Sequence, residues 1–189
     1  MRDALLIHLD YCLTPTTRIN NAAIVVRDRR IHAVGGYSAF VHLENYDVID
    51  MPKCYALPGF IDTHISGANR FDCMHANTNP DIALMSESLA AHGVTAFLPT
   101  AHSSAHEHLL AVVEALRDET ENEDLPGALP VGLHIDGPFI SLAKRGAHQE
   151  KYVRPIDLGQ AREVLETGRG KIMIFTLAPE LENATALVN

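Results

Sequence analysis

Residues 131–138 read VGLHIDGP: a short apolar run that ends in His134 and Asp136 and is stopped by Gly137-Pro138. A run of this length bounded by turn residues reads as a strand, here 131–136, and side-chain alternation puts His134 and Asp136 on one face. Upstream, TAFLPT at 95–100 is a second strand. Between the two lies 105–120, where Leu109, Val112, Val113 and Leu116 recur at helical spacing. Downstream, 157–167 reads as a helix and KIMIFTLAP at 171–179 as a strand, with a last helix starting near Glu182. Toward the N-terminus, GFIDTHI at 59–65 is a strand, followed by a helix over 80–92. Pro80 and Asp81 suit that helix's first turn, Ile82, Met85 and Leu89 its buried stripe, and Gly93 its stop. Strands alternating with helices imply a parallel sheet of right-handed βα units. Four strands fit either part of a barrel or an open sheet.

Residues 1–55 follow another pattern. DALLIHLDYCL at 3–13 is a strand broken by Thr14-Pro15-Thr16, and AAIVVRDRRIHAV at 22–34 is a hairpin folded at RDRR. Residues 46–51 form a short strand before Pro52. The expected organisation is a small β module over 1–55 and α/β units over 56–189.

The chain has 189 residues, 24 acidic against 15 basic, and a net charge of -9. Such a balance lacks the basic footprint of a nucleic-acid binder. The N-terminal MRDALLIHLD has neither the apolar core of a signal peptide nor the length of a membrane span. Cys12, Cys54 and Cys73 form no CxxC pair and read as free thiols in a reducing, cytoplasmic setting.

In parallel α/β folds, functional groups gather at the C-terminal ends of strands. Three such ends are polar: Asp62-Thr63-His64, the run from Thr100 to Ser104 that contains His102, and His134 with Asp136. Asp62 and His64 are expected to share a face, as are His134 and Asp136, and His with carboxylate suits zinc and its neighbours. Plainer readings stand beside these: Asp62 as a turn cap, His134 as a hydrogen-bonded core residue. His106-Glu107-His108 opens a helix and lacks HExxH spacing.

LPGFIDTHISG at 57–67 resembles the first barrel strand of the amidohydrolase superfamily. GLHIDGPFISLAKRGAHQEKYVRP at 132–155 is more specific, and resembles the GLHxEGPF…KGAH segment of N-acetylglucosamine-6-phosphate deacetylases. TAFLPT at 95–100 and TLAPEL at 176–181 fit the same family in the same order. The resemblance implies a TIM barrel, here its first four βα units, preceded by part of a small β-sandwich. It implies hydrolysis of the acetamide of N-acetylglucosamine 6-phosphate with a divalent metal, zinc or iron, that polarises the carbonyl and activates water. By position, Asp136 matches the family's acidic metal ligand and His64 the first histidine of the superfamily's HxH pair. Ala147 and His148 match the segment that touches the sugar. A homodimer is implied for the complete protein.

The chain departs from that pattern at two positions. Ser66 stands where the second histidine of HxH would be, which argues against a two-metal site. Asp136 stands where glutamate is usual, and its carboxylate sits about 1.5 Å nearer the backbone. The family's general base and later histidines are expected beyond Asn189, so the 189-residue chain alone is expected to be inactive and poorly stable. Two other readings remain: another amidohydrolase acting on a cyclic amide or an N-acyl amino sugar, and a non-catalytic half-barrel that binds another chain.

Overall fold

The computed structural model describes residues 4–78, 81–122 and 124–189. The chain divides into two compact units, Met1–Pro58 and Gly59–Asn189.

The first unit is a four-stranded sheet of β1 (Ala4–Leu13), β2 (Arg18–Arg27), β3 (Arg30–Gly36) and β4 (Asp47–Ala56), in the order β3-β2-β1-β4. The β1–β2–β3 meander is antiparallel, and Asp28 and Arg29 take the tight turn at positive φ. The second strand is longer than its apolar run, because Arg18 to Asn21 continue the pairing with β1. β4 joins β1 in parallel, not as a further hairpin. It also runs past Pro52, which its apolar pattern did not predict. Pro52 is tolerated because β4 is an edge strand and its register shifts between the Leu9–Met51 and Tyr11–Tyr55 pairs. Leu6, Ala23, Val25 and Tyr46 form this unit's core.

In the second unit the parallel strands are β5 (Phe60–Ile65), β8 (Val94–His102), β10 (Leu133–Asp136) and β11 (Ile172–Thr176), neighbours in chain order. Between β5 and β8 come a two-stranded ribbon, β6 (Gly67–Ala68) and β7 (Phe71–Asp72), and helix α1 (Ala83–Ala91). The expected start of that helix at Pro80 lies outside the described residues. Helix α2 (His106–Glu119) links β8 to β10, α3 (Leu158–Gly168) links β10 to β11, and α4 (Ala184–Val188) follows. α2 places its apolar stripe against the sheet: Leu109, Val112, Val113 and Leu116 share a core with Phe97, Ala101, Leu133 and Ile135. α3 is capped by Asp157, whose carboxylate accepts from the N–H groups of Gly159 and Gln160.

The strand expected over 131–136 is shorter, and a separate short strand precedes it. Leu129–Pro130 (β9) pairs with β8, and β10 begins at Leu133. Gly132 sits in the break, where a Cβ would lie 2.2 Å from Met173 Cγ, so the close crossing requires glycine. β11 ends at Thr176, earlier than expected, because Ala178 turns its N–H to the Phe139 carbonyl.

Candidate active site

The C-terminal ends of β5, β8 and β10 open onto one cavity of about 190 Å³, lined by His64, Ser66, His102, Asp136, Ala147 and His148. Local structure in β5 brings the first of these there. Asp62 pairs with Phe97 and Ile65 with Pro99, so β5 carries one residue more than β8 over this step. Such a bulge re-aims side chains. The Thr100 hydroxyl accepts the Ile65 N–H at 3.0 Å, and the Asp62 carboxylate accepts the His64 N–H at 3.0 Å. Asp62 is thus a turn cap and is not among the cavity-lining residues, contrary to the expectation that it shares a working face with His64.

His134 is 5% exposed, and both its ring nitrogens are used. Its Nδ1–H donates to the Thr63 carbonyl at 3.1 Å, and its Nε2 accepts from the Thr176 hydroxyl at 2.8 Å. Burial pushes its pKa below the ordinary 6.5, and the neighbouring His64 adds to the effect. A neutral imidazole with one donor and one acceptor position fits these partners. His134 is therefore a strut across β5, β10 and β11, and the face it shares with Asp136 does not make it a ligand.

Asp136 closes β10 and is the acidic centre of the cavity. Its Oδ2 lies 3.7 Å from His64 Nε2 and 3.3 Å from His148 Nε2. His148 comes from the loop after β10, whose two ends are tied by the Arg154 N–H donating to the Pro138 carbonyl. Within the loop the His148 N–H donates to the Arg145 carbonyl, and Arg145 Nη1 returns a bond to the His148 carbonyl at 3.0 Å. His148 Nδ1 lies 2.8 Å from Ser103 Oγ, and the His102 ring stands edge-on to the His148 ring at 6.1 Å.

For a divalent metal, the donor chemistry is partly present. Two ligands of a tetrahedral ion at ~2.1 Å sit roughly 3.4 Å apart, which is near the separation of Asp136 Oδ2 from His64 Nε2. Among the described residues no group of three or more His, Cys, Asp or Glu side chains has metal-binding geometry. His148 Nε2, 3.3 Å from the same oxygen, stands at that spacing too, so spacing alone does not select a ligand set.

No family model matches the chain. It is 30% identical to the N-acetylglucosamine-6-phosphate deacetylase of Bacillus subtilis over the whole chain and 48% of that protein. It is 34% identical to the zebrafish (Danio rerio) protein of that name over 75% of the chain and 35% of that protein. The solved structure of the Mycobacterium smegmatis enzyme in complex with N-acetyl-D-glucosamine-6-phosphate superposes with a TM-score of 0.85 and 27% identity, over 98% of this chain and 46% of that one. The chain resembles the N-acetylglucosamine-6-phosphate deacetylases over part of their length.

Against these deacetylases the chain spans less than half the length. The four positions that the resemblance singled out, His64, Asp136, Ala147 and His148, all line the one cavity. Ser66 and His102 line it too. His102 was readable only as a polar group at a strand end, since nothing local says that its ring meets His148. Cys12, Cys54 and Cys73 are all free. Among the described residues, no helix is long and apolar enough to cross a membrane.

Proposed function

We propose that the protein hydrolyses the acetamide of N-acetylglucosamine 6-phosphate to glucosamine 6-phosphate and acetate, in cytoplasmic amino-sugar catabolism. The observation that carries this reading is the delivery of Ala147 and His148 to the cavity that Asp136 and His64 also line, in a chain similar to deacetylases throughout. The reading extends to the architecture: a β module and the first four βα units of a TIM barrel, in a protein that works as a homodimer.

Asp136 and His64 are the residues that would hold a divalent ion, zinc or iron. Bound there, the ion supplies a Lewis acid for the amide carbonyl and for water. Ala147 and His148 contact the sugar, which sets the acetamide against the Asp136 end of the cavity. A catalytic zinc ordinarily has three protein ligands, and the resemblance supplies two among the described residues. The 189-residue polypeptide alone is accordingly inactive.

The test is acetate release from N-acetylglucosamine 6-phosphate by the intact gene product, run beside the 189-residue polypeptide and an Asp136→Asn variant. Release by the intact product only is the expected result. Hydrolysis of a cyclic amide with no acetate release overturns the substrate assignment. Stable binding of another chain with neither activity makes the unit a binding module.

A further inference from the structure

Asp136, His148 and Ser103 stand in line: Asp136 Oδ2 faces His148 Nε2 at 3.3 Å, and Ser103 Oγ lies 2.8 Å from His148 Nδ1. The order of groups is that of a Ser-His-Asp triad, but a nucleophile must reach its substrate. Ser103 is 4% exposed, and the residues lining the cavity do not include it. Its hydroxyl is directed at the imidazole from behind.

Several features hold it there. Gly137 has φ of +85°, and a Cβ at that residue would lie 2.4 Å from Ser103 Oγ, so glycine leaves the space that the hydroxyl occupies. Arg154 Nη1 donates to the Ser104 carbonyl at 3.0 Å, tying the turn after β8 to the loop that carries His148. The His148 backbone is itself fixed by its exchange with Arg145. With the backbone pinned, the remaining freedom of the side chain is the rotation of its ring and the choice of tautomer. His148 Nδ1 is the hydrogen-bond partner of the buried Ser103 hydroxyl among the described residues, so that O–H is satisfied by donating to Nδ1, which leaves the ring proton on Nε2.

We propose that Ser103 is a positioning residue that fixes His148 as the Nε2–H tautomer, with that N–H presented to the cavity as a donor for a sugar oxygen. The kinetic part of this proposal rests on the substrate reading given above. Without Ser103 the ring rotates and tautomerises, and a share of the molecules presents a C–H or a bare nitrogen in its place.

The experiment uses the intact gene product, labelled with ¹⁵N-histidine, as wild type, Ser103→Ala and Ser103→Thr. A His148→Gln spectrum assigns the signals. The wild type is expected to show His148 protonated on Nε2, Ser103→Ala a tautomer mixture, and Ser103→Thr the wild-type pattern. In kinetics, Ser103→Ala is expected to raise KM about tenfold with kcat changed less than about threefold, and Ser103→Thr to restore KM, as for a contact made equally in ground and transition states. His148 protonated on Nδ1 in the wild type overturns the proposal, and this reading needs no variant to fold. So does an unchanged tautomer in Ser103→Ala, or an equal loss in the Ala and Thr variants. If the sugar phosphate is not hydrolysed at all while the tautomer responds as stated, the substrate reading fails and the positioning role stands.

Discussion

At Asp136 the side chain is one methylene shorter than the glutamate expected there, which withdraws the carboxylate by about 1.5 Å. The bulge in β5 acts on the other partner, turning His64 inward until its Nε2 is 3.7 Å from Asp136 Oδ2. Two side chains on different strands thus meet at ligand spacing without a long carboxylate. Replacing Asp136 by asparagine removes the charge and keeps the shape. In the intact gene product, Asp136→Asn is expected to weaken zinc binding by more than about 100-fold, the upper end of the loss from removing an outer-shell partner. Competition with a chromophoric chelator measures it, and unchanged affinity would take Asp136 out of the metal site. His134 answers to stability instead. His134→Leu leaves the Thr63 carbonyl and the Thr176 hydroxyl without their partner on β10. The expected cost is about 1–2 kcal/mol in urea unfolding, from two part-buried hydrogen bonds lost together.

Between elements, His8 makes the corresponding link in the first unit. From β1 it donates Nδ1–H to Asp50 of β4 at 2.7 Å and Nε2–H to Asn21 of β2 at 2.8 Å, and its ring stacks on Tyr37 at 4.1 Å. Only the imidazolium donates from both nitrogens. The hydrogen bond to Asn21 and the Asp50 carboxylate hold the pKa above the ordinary 6.5, against the effect of burial. The folded state therefore binds this proton more tightly than the unfolded one. The stabilisation is fully present below 6.5 and is lost as pH rises through the folded-state value. Asp50 is 65% exposed at its side chain, so the contribution stays under about 1 kcal/mol. Asp50→Asn is expected to lower stability at pH 6 more than at pH 8.5, read by urea melts at both; a pH-independent difference would refute the imidazolium clasp. How much of such detail a sequence discloses depends on what sets it. α2 was legible because its stripe of Leu109, Val112, Val113 and Leu116 is a property of one segment facing one core. The β5 bulge, the break at Gly132 and the passage of β4 through Pro52 were not, because each is set by register against a neighbouring strand. The candidate site divides in the same way. Alternation gave the face of His134 and Asp136, while which nitrogen or oxygen each side chain spends on its neighbours came only from the packed strands.

In the whole molecule, the parallel sheet bears apolar side chains at both margins. β5 exposes Phe60 at 57% and Ile61 at 65%, and β11 exposes Met173 at 64%. Among the described residues, neither strand has a neighbour on its outer side. Natural sheets protect such edges by pairing, by covering, or with charge, and these three positions carry no charge. A net charge of -9 opposes association at long range, but it is screened beyond a Debye length of about 8 Å at physiological salt. Contact between apolar edges therefore decides the outcome. The 189-residue polypeptide on its own is expected to self-associate at micromolar concentration and to bind a dye that reports exposed apolar surface. Phe60→Lys combined with Met173→Lys puts an edge-blocking charge on each margin and is expected to reduce both signals, read by light scattering after size exclusion and by dye fluorescence. Neither residue lines the candidate cavity, so the same pair placed in the intact gene product separates two cases. If Phe60 and Met173 are covered there, the double variant destabilises it by several kcal/mol, because buried unpaired charge is costly. If they are exposed there as well, its melting temperature is unchanged and the edges are free surface in the whole protein.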